Sequence, residues 1–357
     1  LVGSEMCIRD SLKMMSALWL WKVLIMINQI KTIISEEYPN FSFDLLNWEE
    51  VIEHSSNVTV FYLKSSVEYY ASYFEGNNLS FLIKENNKPI GVMPLFIYKN
   101  KEDWVLSTNG EGVIGPLFIN NLPKKLKKRL ERQIVDVVLL LADKLKIKKI
   151  NFLECSPVLS GWHLLWLERS SRDFLTYHLA IDLSKSIEEI RLNFRKSYKP
   201  LVNKALREWK VDICSSGDKT IFEEFKLLHL EEAGRQTRSD ESWDIQRNQI
   251  LNDEAFLVTV RDEKDLVGGG FFTHTRDIGM YSVGAYKRNL FDKPIGHAVQ
   301  MTAIEKLKEI GCSSYQLGQK STYLSYPNLT DKELSISYFK EGFAGYVYAQ
   351  PHLEVNI

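Results

Sequence analysis

Cysteine is scarce in this chain: four in 357 residues, namely Cys7, Cys155, Cys214 and Cys312. None forms a CxxC pair or stands at Cys/His ligand spacing, so neither a disulfide framework nor a metal site is expected. Reduced, cytoplasmic thiols are the simple reading. Charge of one sign is lacking too. The net charge of −1, with 25% charged and 45% apolar residues, describes a globular protein and argues against a duplex DNA binder. Long apolar runs are missing. Residues 14–27, MMSALWLWKVLIMI, are interrupted by Lys22 and fall short of the roughly 20 residues that a membrane span needs. They read as a packed terminal helix, as mistranslated upstream sequence, or as a signal-like segment, and membrane association is expected to be peripheral at most. No P-loop or GxGxxG follows a strand, which removes that kind of phosphate cradle.

The opening LVGSEMCIRDS, Leu1 to Ser11, resembles the translated mosaic end of a transposase-type sequencing adapter. Excluding it from fold reasoning makes Cys7 non-native and leaves Met14, Met15 or Met26 as starts. Residues 1–40 as a whole are an uncertain N-terminal segment.

What is present is a repeated pattern. From Phe256 to Gln319, the run FLVTV meets a charged turn, Arg261 to Asp265, and LVGGGFF returns along it as a hairpin. A third strand, MYSVGAY, follows, then the loop KRNLFDKPIGH. A helix from about Ala298 to Glu309 is stopped by Gly311, and SSYQLG makes another strand. About 175 residues earlier, FLIKENNKPIGVMPLFIY, Phe81 to Tyr98, reads as strand, polar turn, and strand entered through Gly91. A helix over Lys124 to Leu145 and a strand over Lys148 to Glu154 come after it. The element order predicts an α/β (α+β) fold of two tandem units, each a mixed, mostly antiparallel sheet flanked by helices, over residues 41–180 and 181–357.

The halves differ in decoration. The first carries NGEGVIGPLF, Asn109 to Phe118, whose glycines let a backbone approach a ligand but also suit a plain turn. The second is preceded by RLNFRKSYKPLVNKALREWK, Arg191 to Lys210, with a local charge of +6. Pro200 places a helix over Leu201 to Trp209, entered through an extended or turned Ser197 to Lys199. Arg195, Lys196 and Lys199 near its start suit an anionic group, or form a solvated basic face between domains. In FEEFKLLHLEEAGRQTRSDESWDIQRNQI, Phe222, Phe225 and Leu228 make a core stripe. The helix breaks at Gly234, and His229, Glu232, Arg235, Arg238 and Trp243 read as polar groups at a cleft.

These residues carry a resemblance. FRKSYKPLVNKALRE, LHLEEAGRQTRSDESWDIQ, LVGGGFF, SVGAYKRNLFDKPIGH and SYFKEGFAGYVY resemble the FemAB-like branch of the GNAT acyltransferase superfamily, whose members pair two GNAT-type domains. The resemblance implies acyl or aminoacyl transfer from an activated carrier, acyl-CoA or aminoacyl-tRNA, to an amine or hydroxyl. The acceptor implied is a small-molecule or lipid-linked glycan or cell-wall precursor. No tightly bound cofactor or metal is implied. Lys340, in YFKEGF, matches a lysine of the family's tail and is expected at a substrate phosphate or oxyanion. His229, Glu232 and His297 are candidate proton acceptors. Lys293 and the helix start after His297 face an anion, and Gln319 is a further substrate-binding candidate. The glycine-rich CoA turn of ordinary GNAT proteins is reduced here to Gly296 in LFDKPIGHAV. No Ser, Cys or Thr nucleophile stands out, which favours direct transfer. The competing reading is a non-catalytic GNAT scaffold that binds a sugar nucleotide or an anionic glycan.

Overall fold

A computed structural model describes residue 21 and residues 23–156, 158–323 and 328–357. The first half runs through helix α1 over residues 23–37, β1 (Phe41–Ser42), α2 (Trp48–Glu53), α3 (Lys64–Tyr73), β2 (Asn77–Asn78), β3 (Phe81–Glu85) and β4 (Lys88–Met93). It continues with β5 (Phe96–Asn100), β6 (Asp103–Ser107), β7 (Leu117–Phe118), α4 (Lys124–Leu145), β8 (Lys149–Leu153) and α5 (Gly161–Leu167). The second half holds β9 (Arg172–Asp182), α6 (Ile187–Asn193), α7 (Tyr198–Glu208), β10 (Lys210–Cys214), α8 (Lys219–Ala233) and α9 (Asp240–Leu251). Then come β11 (Ala255–Asp262), β12 (Asp265–His274), β13 (Ile278–Tyr286), α10 (Ile295–Ile310), β14 (Ser314–Gln319), α11 (Asp331–Glu341) and β15 (Tyr346–Asn356).

The expected unit of the second half forms in the expected order. β11 and β12 pair as a hairpin, β13 pairs antiparallel with β12, and β14 lies parallel to β13 after the α10 crossover. The triple glycine of β12 has a packing reason. A Cβ at Gly268 or Gly270 would stand 2.6 or 2.8 Å from Ile295 or Val299 of α10, and one at Gly269 would stand 3.1 Å from Phe225 of α8. Helices therefore sit directly on both faces of this strand. Gly311 ends α10 with φ +99°. The helix starts three residues before Ala298, with Pro294 at its N-cap.

The first half repeats the unit. β3 and β4 form a hairpin, β7 pairs with β4, α4 crosses over, and β8 returns parallel through the Val113–Phe152 bridge. One reading is corrected here. The single strand expected through Tyr98 is broken at Pro94, which has no N–H to give to a ladder. Gly91 lies inside β4 rather than at a strand entry, and β5 leaves for a separate three-stranded sheet, β2-β5-β6. A second correction concerns α7, which begins at Tyr198, three residues before the expected start, with Ser197 already near helical angles. Pro200 is tolerated there because first-turn N–H groups have no intrahelical partner.

The largest sheet has the order β10-β11-β12-β13-β14-β9-β15-β8. β15 lies between β9 and β8, so the last strand of the chain joins strands from both halves, and the expected boundary at residues 180/181 falls inside β9. Apolar side chains of α6, α7 and α10 cover one face of the second copy, and Phe222, Phe225 and Trp243 of α8 and α9 the other. α1 packs Val23, Ile27, Ile30 and Ile34 into the first core. Of the three readings of the 14–27 stretch, its described end, residues 23–27, fits the packed helix. Residues 1–20 and 22, including the adapter-like start, lie outside the described residues. Among the described residues no helix is long and apolar enough to cross a membrane.

The β12–β13 turn clasps the halves together. Arg276 donates to the carbonyls of Glu53 (2.6 Å), Ile52 and Ser55 at the end of α2, Asp277 accepts from Val58 N–H at 2.9 Å, and Thr275 donates to Val58 O at 2.7 Å. A cation on the last carbonyls of a helix is favourable both as a hydrogen-bond donor and against the helix dipole. Replacement Arg276→Ala is expected to lower the unfolding free energy by about 1–3 kcal/mol, read as a fall in the urea midpoint. An unchanged midpoint would show that the clasp is not needed.

Candidate active site

β13 and β14 stay paired only from Ile278–Met280 against Ser314–Gln316, and then part. Into the opening fit two adjoining cavities. One, of about 770 Å³, lies on the α10 side, lined by Tyr281 to Tyr286 of β13, the first turn of α10, and Ile336 and Phe339 of α11. The other, of about 620 Å³, lies between the two copies. Tyr69 and Tyr73 of α3 and the Asn109–Glu111 turn form its first-copy wall, and His178, Gln319 and Tyr348 belong to its second-copy wall. Tyr281, Ser282, Ile336 and Lys340 line both.

Lys340 is positioned by α11, which starts in a Thr330–Glu333 capping box and packs Phe339, with Phe343 just beyond its end, against Tyr198. Its ammonium lies 5.4 Å from the Tyr281 ring centre and lies against Gly318, where a Cβ would stand 2.8 Å from Nζ. Gly318 has φ +109°, a conformation that also favours glycine. Among the described residues no carboxylate is ion-paired with Lys340. Desolvation pushes its pKa down to about 8.

The three candidate proton acceptors all border the α10-side cavity. Glu232 is ion-paired to Arg288 at 3.4 Å. His229 lies edge-on to Trp243, and burial followed by the nearby Arg238 lowers its pKa to about 4. His297, in the first turn of α10, is packed against Tyr198 and Phe339 with its Nε2 buried and unpartnered. Burial, then Arg195, lowers it to about 4 as well. Lys293 borders the same cavity, paired with Asp292 at 3.0 Å.

The substrate-binding candidates divide. Arg238 and Gln319 line the cavity between the copies. Arg238 donates to Tyr69 Oη and Gln246 Oε1, each at 3.0 Å, and lies 4.5 Å over Trp243, which itself belongs to the core behind the wall. Gln319 donates to Glu111 across the cleft at 3.0 Å. Lys196, Lys199 and Arg235 line neither cavity. Nor does Arg195, which is held in packing: it donates to Tyr338 O at 2.9 Å, stacks 3.6 Å over that ring, and so ties α6–α7 to α11.

Several lining residues were not singled out from the sequence, among them Tyr69, Tyr73, Glu111, His178, Tyr281 and Tyr348. The i, i+4 spacing of Tyr69 and Tyr73 on a helix was the available signal for the first wall. Cys155 also lines the cleft. Burial raises its thiol well above the usual range, which keeps it protonated and a poor nucleophile. Among the described residues no three His, Cys, Asp or Glu side chains gather closely enough to hold a metal ion.

The architecture is thus a duplicated α/β unit with a divided cleft at the seam. Neither a family profile nor a curated protein sequence matches the chain. Solved structures do match. FemX superposes with a TM-score of 0.62 at 13% identity, covering 87% of this chain and 96% of that one. L-PGS from Bacillus licheniformis gives 0.57 at 12%, covering 88% and 92%. The C-terminal domain of a putative lysylphosphatidylglycerol synthetase from Agrobacterium fabrum gives 0.56 at 12%, covering 86% and 92%. The chain shares the fold of these structures, two tandem α/β units.

Lys340 provides a direct check on the site's electrostatics. Amine-reactive labelling followed by peptide mapping is expected to titrate Lys340 near pH 8, well below the ordinary lysine value of about 10.4. Labelling that keeps rising to pH 10, as for the exposed lysines, would show that this ammonium is not desolvated.

Proposed function

We propose that the protein is an acyl- or aminoacyltransferase that moves its group from acyl-CoA or aminoacyl-tRNA to an amine or hydroxyl of a cell-envelope precursor. The observation that supports it most is the place of Lys340: an ammonium with no carboxylate partner among the described residues, at the junction of two cavities. The carrier's ester or thioester occupies the α10-side cavity, whose lining includes Lys332 beside the ion-paired Arg288 and Lys293. The acceptor occupies the cavity between the copies. Attack on the carbonyl builds negative charge on its oxygen, and an ammonium desolvated in advance stabilises that charge without reorganising.

Transfer is direct on this reading, since Cys155, the thiol that lines the cleft among the described residues, is held protonated. The name of one neighbour agrees in kind: it is the C-terminal domain of a putative lysylphosphatidylglycerol synthetase. The protein works in the cytoplasm, touching the membrane peripherally if its acceptor is a lipid or lipid-linked glycan. Arg238, held between Tyr69 and Trp243, shapes the acceptor wall.

The test uses labelled total aminoacyl-tRNA and labelled acyl-CoA as carriers, with polar lipids, nucleotide-linked and lipid-linked glycan precursors as acceptors. Label is expected to move, and Lys340→Ala, with an unchanged thermal midpoint, is expected to lower kcat by about 10²–10³-fold. Failure of every carrier to give product would sink the transferase reading. A second outcome follows from the pKa near 8. A rate that needs the ammonium falls as pH rises through about 8, whereas Lys340→Arg, charged to above pH 12, loses that alkaline limb. A limb that persists in the arginine variant would assign it to another group.

A further inference from the structure

The acceptor side of the cleft holds a row of side chains that phosphate or oxyanion contacts do not use. In the register of β9 with β15, Thr176 faces Gln350 and His178 faces Tyr348. Thr176 Oγ1 lies 3.2 Å from His178 Nε2 and 2.9 Å from His352 Nε2. A hydroxyl has one proton to donate. Between two imidazole nitrogens it donates to one and accepts from the other, so one ring carries its proton on Nε2 and the other does not. The row therefore has a direction. A proton arriving at one end is matched by one shifted toward the other, with no side chain moving.

Its two ends differ in what they meet. His178 lines the acceptor cavity together with Lys340. His352 is buried, stacked on Phe174, with buried His163 beyond it. The strands do not need the row to stay paired, because β9 and β15 already match over nine residue pairs from Tyr346–Ala180 to Glu354–Arg172. The titratable groups facing His178 are Lys340 from α11 and Tyr348 and His352 from β15, with Cys155 and Glu111 in the same cavity.

We propose that His178 is the base that takes the proton from the attacking nitrogen or oxygen, and that Thr176 and His352 are positioning residues that spread the resulting charge. The proposal rests on the transferase reading above. As the acceptor atom bonds to the carbonyl carbon, its proton passes to the His178 ring nitrogen opposite Thr176. The Nε2 proton of His178 shifts to Thr176 Oγ1, and the hydroxyl's own proton to His352 Nε2. The bond from carbon to the carrier's oxygen or sulfur breaks, the carrier leaves with the electron pair, and the reverse shift returns the proton to it through the cleft. No proton is gained or lost overall. Burial, then His352 and Lys340, hold His178 near 4, so its ring is neutral and able to accept at pH 7. Negative charge growing on the oxygen beside Lys340 lifts that repulsion as the imidazolium forms.

The experiment compares wild type with Thr176→Val, Thr176→Ser, His178→Asn and His352→Gln in the transfer assay, with thermal midpoints for each. His178→Asn is expected to lower kcat by about 10²-fold or more with the acceptor KM little changed. Thr176→Val, which keeps the shape and removes the hydroxyl, is expected to lower kcat less, and Thr176→Ser to restore it. Nitrogen NMR of the folded wild-type protein should find opposite Nε2 protonation in His178 and His352. Normal kcat and an unaltered pH profile in His178→Asn overturn the proposal while leaving the transferase reading intact. So does a loss in Thr176→Val that tracks a lowered midpoint and is not restored by serine. A wild type inactive with every carrier fails the transferase reading itself, and the proposal with it.

Discussion

The pairing of β15 with strands from both halves is the constraint on which the site depends. A duplicated fold held only by side-chain contacts would leave the cleft between copies adjustable. Here backbone hydrogen bonds run from β9 through β15 to β8 and make one sheet of the second copy and the edge of the first. α11 leads directly into β15. The last turn of α11 is therefore delivered to the seam, and Lys340 with it. The same strand supplies Tyr348 and Gln350 to the cavity lining and His352 behind it, so the element that joins the copies also builds part of the cleft.

Placing an ammonium there with no carboxylate partner among the described residues costs desolvation energy, and the lowered pKa reflects that cost. The surroundings hold Lys340 in place by packing rather than by charge. Arg195 ties the outer side of α11 to α6–α7, Phe339 and Phe343 fill the space beneath, and Gly318 leaves room for the amine. An ion pair would have lowered the cost, but it would also have spent the charge before any substrate arrived. On the transferase reading, that leaves the cation available for the oxygen of a bound carbonyl or for a phosphate.

What could be read in the sequence follows from the range of each interaction. The hairpin turns, the α10 stop at Gly311 and the limits of α4 depend on neighbours within a few residues, and these were legible. Pro94 was visible as a residue, yet its effect, sending β5 to another sheet, depends on what lies beside the strand. The basic segment was prominent in charge but not in role: Arg195 became a packing residue once Tyr338, 143 positions later, was seen to receive it. His178 gave no signal at all. A lone histidine in a strand gains meaning only from Thr176 beside it and from His352 on a strand 174 residues on, and no local pattern encodes that register. Lys340 was singled out by a tail motif of the resembled family, not by spacing.

The duplication itself is asymmetric for a physical reason. In the second copy β13 and β14 part beyond their short parallel pairing, and the opening becomes a cavity. The corresponding point of the first copy is the parallel bridge from Val113 to Phe152. Beside it Trp166 stacks on Phe152 at 4.1 Å, and Trp162 packs against Gly115 so closely that a Cβ there would lie 2.8 Å from its ring. Two tryptophans from α5 thus occupy the place that the second copy leaves open. Filling that space gives the first copy a dense aromatic core, and frees its other surface, α3 and the Asn109–Glu111 turn, to act as a rigid wall. On the transferase reading proposed above, one copy binds the carrier in its own splayed strands, the other closes the acceptor side, and chemistry is confined to the seam where Lys340 and His178 line one cavity.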